Sequence, residues 1–160
     1  MPPSLTVRLV VDTSALFHLE RLPEGAEIFA PHGVLRELER YGDVRSAYLS
    51  ELITVMEPGR EALRVVEEGA QRTGDQVRLS EVDRRILALA WELGARIMTD
   101  DYSVQNLASE LGLEYLTAGE EGISAVWRWR YRCVGCGRVW KECHPDCPVC
   151  GSRLKSHRKG

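Results

Sequence analysis

The stretch VRLVVDTSAL, residues 7–16, contains the pattern that decides the fold. Its first five residues are apolar or β-branched apart from one arginine, which indicates a short strand buried within a sheet. The strand ends at Asp12, and Thr13 or Ser14 can then cap a helix through residues 14–22. A buried strand that passes directly into a helix is typical of parallel α/β folds.

The same order of strand, acidic residue and helix recurs later in the chain. ARIMT, residues 95–99, predicts a second buried strand that ends at Asp100 and Asp101, and the following YSVQNLASELG predicts a helix. Between the two units, residues 79–94 give the clearest helical pattern, with apolar side chains at helical spacing between an N-terminal Ser80 and a terminal glycine.

Shorter patterns complete the domain. Strands are predicted at 27–30, 53–58 and 113–118, and helices at 31–42, 43–53 and 61–74. The alternation of strands and helices predicts an α/β domain with a largely parallel central sheet over about residues 5–118. Segment 59–78 is polar and contains the least regular of these helices, so it can also be interpreted as a mobile arm that contacts RNA.

Acidic residues follow the two best strands. In a parallel sheet, ligands bind outside the carboxyl ends of the strands, so Asp12 should meet Asp100 and Asp101 at one edge if their strands are neighbours. Asp83 lies in the first turn of the clearest helix, and Glu37 lies in the middle of VLREL. We treat these five carboxylates as candidate catalytic residues.

Each acid also has an ordinary structural interpretation. Asp83 can complete a capping box with Ser80, and Asp12 can cap the helix that follows it. Glu37 can pair with a neighbouring arginine on a solvated helix face. The adjacent Asp100 and Asp101 are harder to explain, because only one of the two can cap the next helix. Several convergent carboxylates instead favour a divalent cation such as Mg²⁺ or Mn²⁺, which activates water and offsets charge on a phosphodiester.

All five cysteines lie between residues 133 and 150. Cys133, Cys136, Cys147 and Cys150 form two C-x₂-C pairs, each followed by glycine, which predicts a zinc ribbon with one structural Zn²⁺. Cys143 and His144 lie between the pairs, where either can substitute as a ligand, and we interpret them as a loop cysteine and a surface histidine.

Charge differs strongly between the two ends of the chain. Residues 127–160 contain nine Lys/Arg and two Asp/Glu, whereas the whole chain has a net charge of −3. Basic residues interleaved with aromatic ones suit RNA, since cations bind phosphates and rings stack on bases. The candidate RNA-binding residues are Arg128, Arg130, Arg132, Arg138, Trp140 and Lys141.

No apolar run approaches the ~20 residues of a membrane span, and the N-terminus lacks the pattern of a signal peptide. We therefore expect a cytoplasmic protein without membrane contacts.

The motifs VVDTSAL, VLREL, SEVDRRILALA and MTDDYSVQN, in this order, resemble the acidic signature of PIN-domain nucleases. The resemblance implies a three-layer α/β/α sandwich that cuts RNA with Mg²⁺ or Mn²⁺. It places metal ligands at Asp12, Glu37, Asp83 and Asp101, with Asp100 as a further ligand or helix cap and Thr13 or Ser14 as a polar helper.

The zinc ribbon directly after this domain narrows the resemblance to the archaeal Nin-one-binding-protein family. It implies an endoribonuclease that cleaves precursor small-subunit ribosomal RNA at its 3′ end, on a pre-small-subunit particle. The expected organisation is a nuclease domain at 1–118, a linker at 119–126, a ribbon at 127–154 and a basic tail at 155–160. A toxin-type PIN ribonuclease acting on tRNA or mRNA and a non-catalytic RNA-binding assembly factor are the alternatives.

Overall fold

The computed structural model of the chain describes residues 7–19, 21–119 and 128–159. The elements within these ranges are β1 (Val7–Val11), α1 (Thr13–His18), β2 (Ala26–Ala30), α2 (His32–Arg40), α3 (Ser46–Leu52), β3 (Thr54–Val55), α4 (Arg60–Thr73), α5 (Glu81–Leu93), β4 (Arg96–Met98), α6 (Tyr102–Glu110), β5 (Tyr115–Leu116), β6 (Arg128–Cys133), β7 (Val139–Trp140) and β8 (Leu154–Lys159). None of the helices in these ranges is long and apolar enough to cross a membrane.

A parallel five-stranded sheet in the order β3-β2-β1-β4-β5 forms the centre of the first domain. The chain runs outward from β1 to β3, then returns to the other side of β1 as β4. The strand order therefore reverses between β1 and β4, which is the place where open α/β sheets bind ligands. The predicted parallel α/β fold is confirmed, and the two acid-ending strands are neighbours.

The helices form two groups that flank this sheet. Helices α1, α2 and α3 pack in sequence on one another, while α4, α5 and α6 contact each other and α5 packs on β1 and β4. The hydrophobic core lies between them, and all its fully buried apolar residues fall between Leu9 and Ala108. The predicted apolar stripe of α5 is part of it, since Ile86 and Leu89 are completely buried.

Helix α1 is shorter than the sequence predicts. It ends at His18 rather than continuing to residue 22, because Leu19 already has an extended backbone with φ −90° and ψ 131°. Its N-cap is Asp12 rather than Thr13 or Ser14, and the Asp12 side chain makes no capping hydrogen bond. The carboxylate of Asp12 is thus left for other contacts.

Helix α4 corrects the interpretation of segment 59–78 as a mobile arm. Ala62, Val66 and Ala70 recur at a spacing of four and are completely buried against the core. The helix ends at Gly74, whose φ of 80° is a left-handed conformation that glycine adopts without strain. The polar residues of this segment cover the outer face of a packed helix.

The zinc ribbon contains an antiparallel three-stranded sheet in the order β7-β6-β8. Residues 155–160 were expected to be a basic tail, and this is wrong as far as Lys159. Strand β8 pairs with β6 along its whole length, from Cys133 opposite Leu154 to Arg128 opposite Lys159. The expected linker falls almost entirely on residues 120–126, which lie outside the described ranges.

Three kinds of contact join the ribbon to the nuclease domain. The Tyr131 hydroxyl donates a hydrogen bond of 2.6 Å to the Gly74 carbonyl. The Arg78 guanidinium lies 3.3 Å from the centre of the Trp129 ring, in a cation–π contact. An ion pair of 3.2 Å joins Arg128 of β6 to Glu110 at the end of α6.

Candidate functional site

Asp12 lies at the end of the central strand and is almost completely buried, with 4% of its surface exposed. Its Oδ2 atom accepts hydrogen bonds from Thr99 Oγ1 at 2.7 Å and Ser14 Oγ at 3.0 Å. Burial raises the pKa of Asp12 to about 6, with contributions from Asp83 and Asp101, although the Thr99 hydrogen bond opposes the shift. The carboxylate is fixed in place, and its negative charge is not fully compensated.

Asp83 belongs both to a helix cap and to the acidic site. Its Oδ2 accepts a hydrogen bond of 2.9 Å from the Ser80 amide, and its own amide donates to Ser80 Oγ at 3.1 Å, which completes the predicted capping box. Burial raises its pKa, and the neighbouring charges of Asp101 and Glu37 raise it further. The capping interpretation is therefore confirmed without removing Asp83 from the site.

Glu37 is connected to the site through Thr13. The Thr13 hydroxyl donates a short hydrogen bond of 2.6 Å to Glu37 Oε2 and so joins the first turn of α1 to the middle of α2. The sequence predicts Thr13 or Ser14 as a polar helper, but it gives no signal for this partner of Thr13, which lies 24 residues away. Within the described ranges, no ion pair joins Glu37 to Arg36 or Arg40.

Asp101 caps helix α6. Its Oδ1 accepts hydrogen bonds from the Ser103 and Val104 amides at 2.8 and 3.2 Å. Its own amide donates to Thr99 Oγ1 at 3.0 Å, and Thr99 in turn donates to Asp12. The interpretation of Asp100 as the helix cap is therefore wrong, because Asp101 has this role.

Asp100 points away from the helix and binds backbone amides of another segment. Its Oδ1 accepts hydrogen bonds from Ala118 at 2.9 Å and Gly119 at 3.2 Å, and its Oδ2 accepts from Gly119 at 3.1 Å. The same Oδ2 lies 3.0 Å from His18 Nδ1, and the side chain is only 2% exposed. Asp100 thus fastens the segment after β5 to the end of α1.

Four carboxylates influence one another electrostatically at the edge of β1 and β4. Asp83 and Asp101 raise the pKa of Asp12, and Asp101 and Glu37 raise that of Asp83. A divalent cation would relieve this repulsion, and oxygen donors are those that hard cations prefer. Among the described residues, only the cysteines form a group whose donor atoms all lie within 4.8 Å of one another, so the acids are spaced more widely.

Four cysteines converge as the two C-x₂-C pairs predict. The sulfur atoms of Cys133, Cys136, Cys147 and Cys150 all lie within 4.8 Å of one another. The amides of Gly135 and Cys136 point at Cys133 Sγ from 3.3 and 3.4 Å. Hydrogen bonds from Ser152 lower the pKa of Cys150 to about 6, which favours the thiolate that zinc binds. This donor set fits a closed tetrahedral zinc site.

Cys143 lies outside this group and is exposed. Its neighbour His144 makes an edge-to-face ring contact with Trp140, with centroids 5.3 Å apart. Neither residue is brought to the cluster, in agreement with the interpretation of Cys143 as a loop residue.

Residues 129–132 of β6 place aromatic and basic side chains on opposite faces of the ribbon, whereas Arg128 at the start of the strand pairs with Glu110 of the nuclease domain. Successive strand residues point to opposite sides, so Trp129 and Tyr131 contact the nuclease domain while Arg130 and Arg132 lie on the other face. On that face Arg130 stands opposite His157 and Arg132 opposite Lys155. We call these four residues the cationic face.

A surface cavity of about 350 Å³ lies on the cationic face, with Arg132, Lys155 and His157 among its lining residues. Other candidate RNA-binding residues lie elsewhere. Trp140 stands opposite Tyr131 in the sheet and therefore lies on the same face. Arg138, directly before β7, and Lys141, directly after it, are both exposed. The structure thus distributes the predicted RNA-binding residues over more than one surface.

Comparison with known proteins identifies relatives of the whole arrangement. Residues 9–93 match the family described as the PIN domain of ribonuclease. The chain is 47% identical over 114 residues to an endoribonuclease Nob1 of Pyrococcus abyssi, covering 70% of each chain. It is 32% identical over 166 residues to the endoribonuclease Nob1 of Methanothermobacter thermautotrophicus, covering 95% of each chain.

A further relative is a ribonuclease VapC1 of Thermoplasma acidophilum, 41% identical over 151 residues, which represent 92% of this chain and 77% of that protein. PIN nucleases use divalent metals and act on RNA, so the expectation of a metal-dependent endoribonuclease is confirmed. The chain belongs to the PIN-domain ribonuclease family and, within it, to the archaeal Nob1 endoribonucleases.

Proposed function

We propose that this protein cleaves precursor small-subunit ribosomal RNA at its 3′ end, in the cytoplasm and on a pre-small-subunit particle, with Mg²⁺ or Mn²⁺ as the catalytic ion. The observation that carries the proposal is the adjacency of β1 and β4, which brings Asp12 and Asp101 to one edge of the sheet. The Nob1 relatives support RNA cleavage as the activity.

Asp12, Glu37, Asp83 and Asp101 would hold the cation. When bound, such an ion supplies an activated water and offsets the charge of the phosphodiester. The protein's own contribution is to fix the donors beforehand: Thr99 and Ser14 orient Asp12, Thr13 orients Glu37, and the helix cap orients Asp83. Preorganised donors avoid the cost of reorganisation during the reaction.

We assign Asp100 to positioning rather than to metal binding. Both of its oxygens already accept backbone hydrogen bonds, from Ala118 and Gly119, and His18 lies against one of them. Moving this carboxylate to a cation would leave two amides without partners, which costs more than a typical hydrogen bond contributes. Asp100→Asn should therefore weaken catalysis less than Asp101→Asn.

The cationic face would bind the phosphates of the RNA. Like charges stand directly opposite each other there, at Arg132 with Lys155. Such pairs destabilise a sheet unless an anion lies against them. RNA binding should consequently weaken as salt increases, and Arg132→Ala with Lys155→Ala should reduce the salt dependence by about one to two released ions.

The decisive experiment incubates wild-type and Asp12→Asn protein with RNA that spans the immature small-subunit 3′ end, with Mg²⁺ or Mn²⁺, and maps the ends. The wild type should produce one defined 3′ end, and the variant should lose at least 100-fold in rate. Glu37→Gln should also lower the cleavage rate. Its matched control is Glu39→Gln, because Glu39 is an exposed acid on the same helix. Full activity of Asp12→Asn would exclude the acidic edge as the active site.

The relative named ribonuclease VapC1 supports one competing substrate class, because it matches 92% of this chain. The toxin-type alternative is tested by adding tRNA and mRNA to the same assay. Faster cleavage of these than of the ribosomal precursor would favour it. A protein that binds the precursor but cleaves none of the three RNAs would be a non-catalytic assembly factor.

A further inference from the structure

The surface beside the acidic site carries an exposed pair of aromatic rings. Phe17 on α1 and Tyr41 at the end of α2 are in edge-to-face contact, with ring centroids 5.7 Å apart and planes at 81°. They remain 46% and 69% exposed. Large rings are usually buried, and an accessible aromatic pair next to a reactive edge is typical of binding surfaces.

The position of this pair relative to the acids follows from helix geometry. Phe17 is four residues after Thr13, and Tyr41 is four residues after Glu37, so each ring lies one turn along its helix from one member of the Thr13–Glu37 hydrogen bond. Tyr41 keeps the helical row, because its amide still donates to the Glu37 carbonyl at 3.0 Å. Four residues rise about 6 Å along the helix axis, a distance that a nucleotide next to the reacting phosphate can span.

The charges around the pair match an RNA strand. Arg36 and Arg40 occupy the neighbouring row of α2, and both are exposed. In the described ranges, neither of them takes part in an ion pair. Cations beside exposed rings are the combination that binds single-stranded RNA, with stacking on the bases and attraction to the phosphates.

We propose that Phe17 and Tyr41 form a stacking subsite for one unpaired nucleobase of the RNA, immediately beside the cleaved phosphodiester. This inference rests on the proposed function and adds to it a contact outside the acids. Stacking accepts any base, so the subsite selects single-stranded RNA with an unstacked base rather than one particular base. It also holds the strand against Glu37, which fixes the register of the cut.

The test uses a single-stranded RNA of the small-subunit 3′ end with 2-aminopurine placed at successive positions around the cut. Asp12→Asn protein binds it without cleavage. One position should lose fluorescence on binding because its base stacks on a ring. The loss should disappear with Tyr41→Ala and remain with Tyr41→Phe, which keeps the ring.

Kinetics give an independent measure with active protein. Phe17→Ala or Tyr41→Ala should lower kcat/KM about 10- to 100-fold, the range expected for one lost base–ring stack. An RNA without a base at the identified position should lower the kcat/KM of the wild type by the same factor. It should not lower the kcat/KM of Tyr41→Ala any further. Tyr48→Ala is the matched control. Tyr48 is also an exposed ring, but it lies on α3 beside Leu52 and not with Phe17 and Tyr41.

The outcomes separate this inference from the proposed function. If Asp12→Asn is inactive but no position is quenched and Tyr41→Ala cleaves normally, the stacking subsite is wrong and the proposed function stands. If Tyr41→Ala fails only on the pre-small-subunit particle and cleaves free RNA normally, the rings contact a protein, which also overturns the inference. If Asp12→Asn remains fully active, the proposed active site fails, and the stacking subsite fails with it, because it is defined by its place beside that site.

Discussion

The nuclease domain and the ribbon are each stabilised by a different kind of interaction. All the fully buried apolar residues of the core cluster lie in the nuclease domain, whereas Tyr131, Cys133 and Cys147 are the ribbon's buried residues within 128–159. The first domain is stabilised by burial, and the second has too little buried surface for that. We expect metal bound by its four convergent thiols to be the main source of its stability. On this expectation, the first domain is stable through its own core and the ribbon depends on a bound ion.

The largest expected effect comes from removing one thiol of the cluster. Cys147→Ala should lose zinc and unfold the ribbon while the nuclease domain stays folded, because structural zinc contributes about 10–16 kcal/mol in small metal domains. Metal analysis and amide hydrogen exchange of residues 128–159 measure both effects. Cys143→Ala is the matched control and should retain zinc, as it removes an exposed cysteine outside the cluster.

A smaller effect is expected where the two parts meet. In Gly74→Ala, the new Cβ would lie 2.6 Å from the Trp129 carbonyl oxygen, in a residue whose φ is +80°. We expect a loss of about 2–4 kcal/mol in the free energy of unfolding, from backbone strain and the clash together. Gly94→Ala, with φ +61° and open space around it, should lose only the strain, about 1 kcal/mol. Equal losses in thermal unfolding would contradict the close approach of the ribbon.

Asp12→Asn should raise the free energy of unfolding, unlike the substitutions above, when no Mg²⁺ or Mn²⁺ is present. The pKa of Asp12 is raised from 3.8 to about 6, so the folded state binds a proton more tightly than the unfolded state does. The stabilisation that comes from the proton bound to Asp12 is complete below pH 4 and is lost as the pH rises through 6. The gain of Asp12→Asn over wild type should therefore grow between pH 4 and 7, to about 1–3 kcal/mol.

Denaturant unfolding of zinc-loaded protein in Mg²⁺-free buffer, without chelator, measures this difference. A gain that is the same at pH 4 and pH 7 would show that Asp12 is not destabilised by its surroundings. Added Mg²⁺ should reduce or reverse the gain, because the cation then stabilises only the wild type.

The smallest effect concerns the cap of α5. Ser80→Ala removes the hydroxyl that accepts the Asp83 amide and should lower the free energy of unfolding by about 1 kcal/mol. Because Asp83 then loses part of its orientation, the rate of RNA cleavage should fall as well. Ser80→Thr should restore both, and thermal unfolding with a cleavage assay checks the pair.

Much of the fold could be predicted because its signals are local. The strand at residues 7–11, the capping box of α5 and the two C-x₂-C pairs are each determined by neighbours in sequence. Strand β8 could not be predicted, because a lysine- and arginine-rich hexapeptide has little intrinsic preference for a strand. Its pairing with β6 provides what its own composition lacks.

The position of the candidate acidic site could be predicted from the sequence, but the contacts of its carboxylates could not. Adjacent strands bring Asp12 and Asp101 together, which the parallel sheet implied. The partners of Glu37 and Asp100 come from tertiary packing, since Thr13 and Gly119 are far from them in the sequence. Sequence patterns carry no record of such contacts, and so the distinct roles of Asp100 and Asp101 appear only in the folded chain.

The contacts of Asp100 and Gly74 have one further consequence. Asp100 holds Ala118 and Gly119 at the acidic edge of the sheet, and Gly74 holds Tyr131 of the ribbon. The segment after β5 and the ribbon are therefore each fastened to the nuclease domain by hydrogen bonds that involve a backbone group.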